Sequence, residues 1–322
     1  MSPQQRWLDR PVVVRAPATS ANLGPGFDAL GLALALHDEV EARVTGGGLA
    51  IEVSGEGAET AGAGEGHLVV RAMRAAFGVL GGQPPGIGLR CVNAIPHGRG
   101  LGSSAAAIVT GVLAARGLVS EGATRLPDEA VFRLAVNLEG HPDNVAACLA
   151  GGLTIAWTDR PAPGSPAVPK LAKLAVLDGI SPVVCVPQDL LSTETARRVL
   201  PETVPHGDAS ANAGRSALLI AGLTSVPGVL FDATEDFLHQ RYRAAIMPAT
   251  ADLLHRLRAA GLAAVVSGAG PAILVLAGPG PNSAPDLVDS IARETGIAWR
   301  ISPLDVDRQG ATLQIAVPGV RP

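Results

Sequence analysis

The densest chemistry in the chain lies in Pro96-His97-Gly98-Arg99-Gly100-Leu101-Gly102-Ser103-Ser104-Ala105-Ala106. A β-branched stretch precedes it and an alanine-rich stretch follows. Three glycines let the backbone approach a ligand and take positive φ. The start of the following helix offers unpaired N–H groups and the positive end of its dipole. Ser103 and Ser104 sit at that start, where hydroxyls can contact phosphate or a metal. The segment lacks the GxxxxGK[ST] lysine loop and the third glycine of the dinucleotide fingerprint. A plain glycine turn capped by Ser103 is the simpler alternative. The strand–glycine–helix order favours a phosphate cradle.

Five further segments carry polar chemistry. Ala18-Thr19-Ser20-Ala21-Asn22-Leu23-Gly24-Pro25-Gly26-Phe27-Asp28 can present an amide and a carboxylate from a rigid loop, although Asx turns use the same residues. Glu139-Gly140-His141-Pro142-Asp143-Asn144 gathers four groups able to bind metal, protons or substrate at a helix end. Helix punctuation and capping explain it equally well. Ser267-Gly268-Ala269-Gly270-Pro271 reads as a glycine turn between strands. Ser192–Arg198 and Asp236–Arg243 carry arginines that could clamp an anion, or could lie on a solvated helix face.

The elements that must position these groups are legible from pattern. Residues 11–17, 32–44, 49–53 and 87–95 read as strands. Residues 67–80 have helical apolar spacing, a helix is expected from about 104 to 118, and 128–139 reads as another. Residues 174–187, LAVLDGISPVVCVP, read as strands around a turn. Residues 193–199, 212–223 and 249–260 read as helices, with two final strands at 262–266 and 272–276. The proline-rich stretch 159–170 is the expected linker, which divides the chain into domains 1–165 and 166–322. Mixed elements in both halves favour an α+β class.

The 322 residues suffice for one large or two medium domains. Aromatics are 3% and the net charge is −4, which argues against single-strand and duplex nucleic-acid binders. Cys91, Cys148 and Cys185 are far apart with no CxxC, so neither a disulfide framework nor a cysteine zinc site is expected. The N-terminus lacks an apolar secretory region. The longest uncharged stretch, 259–285, is broken by Gly and Pro and reads as strand–loop–strand, not as a membrane span. A soluble cytoplasmic protein is expected.

Taken together, the segments resemble the GHMP kinase superfamily. The signatures are VRAPATSANLGPGFDALGLAL, PHGRGLGSSAA and SGAGPAILVL. Within it, ATSANLGPGFD, EGHPDNVA, LSTETARRVLP and DFLHQRYR are similar to the homoserine kinase family, over Val14 to Leu276. The resemblance implies an N-terminal domain like the second domain of ribosomal protein S5. It implies a ferredoxin-like C-terminal domain, a cleft between the two, and a homodimer. It implies phosphorylation of the L-homoserine hydroxyl by ATP with Mg²⁺, in threonine biosynthesis.

By motif, 96–106 would wrap the triphosphate. Ser103 or Ser104 with Glu139 would hold Mg²⁺, and Ser103, Ser104 and Asn144 would stand at the reaction centre. Asn22, Asp28, His141, Asn144, Thr193, Arg197 and Arg243 would line the amino-acid pocket. SGAGP would support both loops. The family pattern commonly has proline before its Tyr-Arg pair; Arg241 stands there, so Arg241 and Arg243 are both candidates and Arg243 holds the motif position. Related kinases place an Asp base near Asn144. A neutral amide cannot take a proton, which points to transfer without a dedicated base. The rivals are a kinase for another alcohol such as mevalonate, and a nucleotide-binding regulator without turnover.

Overall fold

A computed structural model describes residues 7–59, 64–159, 167–278 and 284–315. The first half runs β1 (Val12–Ala21), β2 (Leu30–Thr45), β3 (Gly48–Gly55), α1 (Leu68–Leu80), β4 (Gly86–Asn93), α2 (Ser103–Gly117), α3 (Gly122–Arg125), α4 (Asp128–Glu139), α5 (Pro142–Ala150), β5 (Leu153–Asp159) and β6 (Val168–Leu174). The second half runs β7 (Ser181–Pro187), α6 (Thr193–Arg198), α7 (His206–Thr224), α8 (Leu230–Ala233), α9 (Gln240–Arg243), α10 (Pro248–Ala259), β8 (Ala264–Val266), β9 (Ile273–Ala277), α11 (Ala284–Glu294), β10 (Trp299–Pro303) and β11 (Thr312–Ile315).

Two sheets organise these elements, as an α+β fold. In the first, β2 is the spine. It pairs antiparallel with β1 along nearly its whole length, with β4 at one end and with β5 at the other. β3 joins β4 in parallel, through α1. The second sheet has the antiparallel order β10-β7-β9-β8. Its chain order, strand–helices–hairpin–helix–strand, is the ferredoxin-like arrangement. α2 is buried on almost every face, from Ala105 to Ala115, and this is why its sequence shows little amphipathic pattern. It packs on β1 and β2 and is covered by α1, α4 and α5.

The sheets divide at a different place from the expected 165/166 boundary. β5 and β6 are antiparallel partners in the first sheet, so the proline-rich stretch connects two strands of one sheet. Residues 160–166 of that stretch lie outside the described residues. The crossing to the second sheet falls between Leu174 and Ser181, and β11 then returns to pair with β1. Proline-rich composition marks a loop but does not say whether its flanking strands separate. The expectation that 262–266 and 272–276 were the last strands is also corrected, because β10 and β11 follow. α7 begins at His206, ahead of the expected 212. Its polar first turns are held by tertiary bonds: Asn212 Nδ2 and Ser216 Oγ both donate to Pro25 O, at 2.8 and 2.5 Å.

Cys91, Cys148 and Cys185 are free and buried. Among the described residues, no helix is long and apolar enough to cross a membrane.

Candidate active site

The glycine segment leaves β4 and enters α2. Its exit from the sheet is fixed by Asp38 of β2, whose carboxylate accepts the amides of Ala94 and Ile95 at 2.7 and 2.9 Å. Gly98, Gly100 and Gly102 then take φ of +63°, +77° and +70°. A Cβ at Gly100 would lie 2.2 Å from Ser267 O, and one at Gly102 would lie 1.9 Å from Thr19 Oγ1. Both positions therefore need glycine for space as well as for φ.

The loop's carbonyls are all bonded away from the cavity. Gly98 O accepts Leu191 N, Arg99 O accepts Ala272 N, and Leu101 O accepts Thr19 N, each at 3.0–3.1 Å. Ser267 Oγ donates to Gly100 O at 2.6 Å. Among the described residues, the amides from Gly100 to Ala105 donate to no other protein group, and α2 has no side-chain cap. A row of free N–H groups at a helix start can hold an anion.

Ser103 and Ser104 stand between two cavities. One, of about 200 Å³, is walled by Gly98, Gly100 and Gly102 and by the acidic and basic groups described below. The other, of about 350 Å³, is walled by Asp38, His67, Asn93, His97 and Thr110, with Ala107 and Val69 as apolar floor. The His67 Nδ1 there is buried and has no hydrogen-bond partner. Several residues of the expected 96–106 cradle do not face either cavity with their side chains. Leu101, Ala105 and Ala106 are core residues. The Arg99 guanidinium turns away and donates to Pro187 O, Gln188 O and His97 O, at 2.9, 2.9 and 3.2 Å. It braces the loop against β7. Pro96 is buried, and His97 reaches the second cavity alone.

Glycine and proline punctuation explains the Glu139–Asn144 cluster. Gly140 ends α4 in the left-handed region, His141 is extended, and Pro142 starts α5. This brings Glu139, His141, Asp143 and Asn144 to one wall. Ser104 Oγ donates to Glu139 Oε1 at 2.6 Å. Burial, reinforced by the nearby Asp143 charge, pushes the Glu139 carboxyl up to about 7 despite that bond. Burial likewise pushes Asp143 up to about 6. The His141 imidazole is held below its ordinary value, first by burial and then by Arg197. Thr19 Oγ1 donates to Asn144 Oδ1 at 2.7 Å.

The opposite wall is built from side-chain charge. Asn22 and Asp28 both have φ near +60°. Asn22 Oδ1 accepts Asp28 N at 2.9 Å and Asn22 Nδ2 donates to Gly268 O at 2.7 Å, so this amide locks the loop onto SGAGP while lining the cavity. Asp28 receives Arg197 bidentately, at 2.6 and 3.0 Å. The Arg197 Nε is buried without a partner. Arg243 is 1% exposed, donates from Nε to Ala196 O at 3.0 Å, and lines the cavity. Burial and the Arg197 charge lower its pKa to about 10, so it stays charged at neutral pH. Arg241 lies outside the cavity, paired with Asp208 and resting on Tyr242. Thr193 starts α6 beside the cavity, after the Ser192 cap.

The structure thus brings Asn22, Asp28, Ser103, Ser104, Glu139, His141, Asn144, Thr193, Arg197 and Arg243 to one cavity. Sequence reasoning did not single out Thr19, Asp143 as a wall residue, or the second cavity with Asp38 and His67. Thr19 and Asp143 lie inside quoted segments, where alternation along β1 and helical spacing after Pro142 carry the signal. The second cavity has no local signal, because β2, β4 and α1 assemble it.

Known proteins define the class. Residues 67–152 match the GHMP kinases N terminal domain and residues 227–298 match GHMP kinases C terminal. The chain superposes on the crystal structure of a homoserine kinase from Cytophaga hutchinsonii with a TM-score of 0.78 and 26% identity, covering 98% of this chain and 100% of that one. An L. major mevalonate kinase, at 14% identity and a TM-score of 0.67 over 94% of this chain and 99% of that one, shares the fold. The chain is 52% identical over 302 residues to a homoserine kinase of Streptomyces coelicolor, 94% of each. It is 50% identical over 314 residues to one of Clavibacter michiganensis subsp. michiganensis, 97% of each. It belongs to the homoserine kinase family of the GHMP kinases.

Proposed function

We propose that this chain transfers the γ-phosphoryl group of ATP to the terminal hydroxyl of L-homoserine, giving O-phospho-L-homoserine and ADP in threonine biosynthesis. One observation carries the reading. A helix start with free amides faces, across one cavity, one carboxylate and two guanidiniums, of which Arg243 is buried and Asp28 and Arg197 are half-buried. The amides suit a polyphosphate and the charges suit a zwitterionic amino acid.

The substrate ammonium pairs with Asp28, and its carboxylate with Arg197 and Arg243. Without ligand, Asp28 and Arg197 neutralise each other. A zwitterion exchanges that one ion pair for two, Asp28 with the ammonium and the guanidiniums with the carboxylate. Neither mevalonate nor galactose has an ammonium to offer Asp28. The loop amides and Ser103 and Ser104 hold the phosphates in line, which is the main task in a loose phosphoryl transition state. Asn144, held by Thr19, orients the acceptor hydroxyl. As an amide it takes no proton, so the hydroxyl loses its proton late.

Ser104 and Glu139 are hard oxygen donors suited to Mg²⁺. Among the described residues, no group of three His, Cys, Asp or Glu side chains converges on a metal. One carboxylate and one hydroxyl fit an ion shared mainly with phosphates and water. Bound there, it would neutralise phosphate charge. The homodimer and the cytoplasmic location belong to the same proposal, on the family resemblance.

An ADP-release assay with ATP, Mg²⁺ and L-homoserine, mevalonate or galactose tests the reading. Release with homoserine alone is expected. Release with another alcohol in its place would reassign the substrate, and none with any would favour a nucleotide-binding protein without turnover.

A further inference from the structure

We infer that His239 is a positioning residue for the acceptor site: its neutral imidazole holds the Arg243 guanidinium and the Asn22–Asp28 loop in one register. The inference rests on the reading that Arg243 receives the substrate carboxylate.

His239 is fully buried just before α9. Its Nδ1 lies 2.9 Å from Arg243 Nη1, and its Nε2 lies 2.9 Å from Gly24 O. A guanidinium only donates, so Nδ1 accepts. The ring proton then sits on Nε2 and is donated to the Gly24 carbonyl. That single tautomer satisfies both neighbours. The other tautomer satisfies neither, and a protonated ring sets an N–H against the guanidinium. Arg243's remaining acceptors are the backbone carbonyls of Ala196 and Gly268. Among the described residues, His239 is therefore the one side chain that bonds Arg243.

The ring also reaches the carboxylate side of the pocket. It stacks on Phe27 with centroids 5.3 Å apart and planes at 29°. Both guanidiniums rest on that same phenyl ring, Arg243 at 5.7 Å and Arg197 at 5.8 Å from its centroid. Gly24 and Phe27 belong to the loop that carries Asn22 and Asp28.

The segment that delivers His239 is itself fixed. The Asp236 carboxylate accepts the amides of Leu238, His239 and Gln240 at 2.7–3.0 Å. Gln240 Oε1 accepts Val266 N at 2.6 Å, which ties the segment to β8. The charged groups that face the imidazole are Asp236, Arg243 on α9, and Asp28 on the β1–β2 loop. Asp236 spends both oxygens on backbone amides. Burial, with the Arg243 charge, holds the imidazole below its ordinary pKa against the pull of Asp236, in keeping with the neutral form.

Two amide substitutions separate the ring's two bonds. In His239→Gln the amide reaches the Nε2 position and can donate to Gly24 O, but no acceptor remains at the Nδ1 position. In His239→Asn the Oδ1 falls near the Nδ1 position and can accept from Arg243. His239→Gln should raise the homoserine KM about tenfold, the share of one hydrogen bond to a charged group. The kcat and the ATP KM should stay within about twofold, and His239→Asn should recover most of the loss. Arg243→Ala, assayed alongside, tests the underlying reading. A homoserine KM within about threefold of wild type in Arg243→Ala would remove that reading and the inference with it. If Arg243→Ala raises KM, the role of His239 is overturned by an unchanged KM in His239→Gln, by equal losses in Gln and Asn, or by an ATP KM that rises in step.

Discussion

The two walls of the cavity are built from opposite materials. The wall proposed to hold phosphate is backbone: glycines at positive φ, carbonyls bonded outward and amides left free. The wall proposed to hold the acceptor is side-chain charge: Asp28, Arg197 and Arg243, with an imidazole behind them. A backbone wall depends on space and conformation, so an added Cβ damages it and a charge change elsewhere does not. A charged wall depends on complementarity, so losing one partner leaves another buried and unpaired. The walls meet at SGAGP, where Ser267 Oγ holds Gly100 O and Gly268 O holds Asn22.

The largest effect is expected on the backbone wall. Gly102→Val should abolish turnover, because its Cβ enters the Thr19 hydroxyl and a β-branched residue resists φ near +70°. Circular dichroism should show a folded protein that no longer binds ATP. Unchanged ATP affinity in that folded variant would remove the anion-site assignment.

On the charged wall, Arg197→Ala and Arg243→Ala should each lower homoserine kcat/KM by roughly thirty-fold to several-thousand-fold, as for truncating one member of a hydrogen-bonded charge pair that the bound substrate shields from water. The ATP KM should change little. Lysine should rescue poorly at Arg197, because a point charge cannot form the bidentate fork. Values within about threefold of wild type in both alanine variants would sink the clamp.

Glu139→Gln tests the proposed metal ligand beside Ser104. An amide is a weaker ligand for a hard cation than a carboxylate. Activity should fall and recover partly at high Mg²⁺ in a titration, whereas a wild-type Mg²⁺ dependence would place the ion elsewhere.

The smallest effect concerns stability. Asp143 is held near 6 in the folded chain against an ordinary 3.8. The folded state therefore binds the proton more tightly, and stability falls as pH rises from about 4 to 6. Asp143→Asn should remove that fall and add about 1–3 kcal/mol at pH 7. Melting curves at pH 5 and 7.5 should diverge less for the variant than for wild type, the remaining divergence being the share of Glu139, which burial pushes up to about 7. No gain at pH 7.5 would show that the buried carboxylate is not under strain.

The contrast between the walls also explains what was legible in the sequence. The phosphate wall is local, one strand–glycine–helix run, and its elements were expected within a residue or two. The Glu139–Asn144 turn is equally local, with Gly140 and Pro142 as punctuation. The acceptor wall gathers four distant segments, and neither the Asp28–Arg197 pairing nor the burial of Arg243 has a signature along the chain. Family resemblance supplied those residues where periodicity could not. The place where the chain crosses from the first sheet to the second has no local signature for a related reason. Whether strands on either side of a proline-rich loop pair or part is decided by partners elsewhere, here β2 for β5 and β1 for the returning β11.

The central claim is that the cavity reads both charges of an amino acid before phosphorylating its hydroxyl. The most direct test compares kcat/KM for L-homoserine, 4-hydroxybutyrate and 3-aminopropan-1-ol. The first analogue lacks the ammonium and the second lacks the carboxylate. Each omission leaves a charge of the acceptor wall without its ligand partner, and each should lower kcat/KM about thirty-fold or more. If either analogue matched homoserine within about threefold, the wall would not be reading that charge and the account would be contradicted.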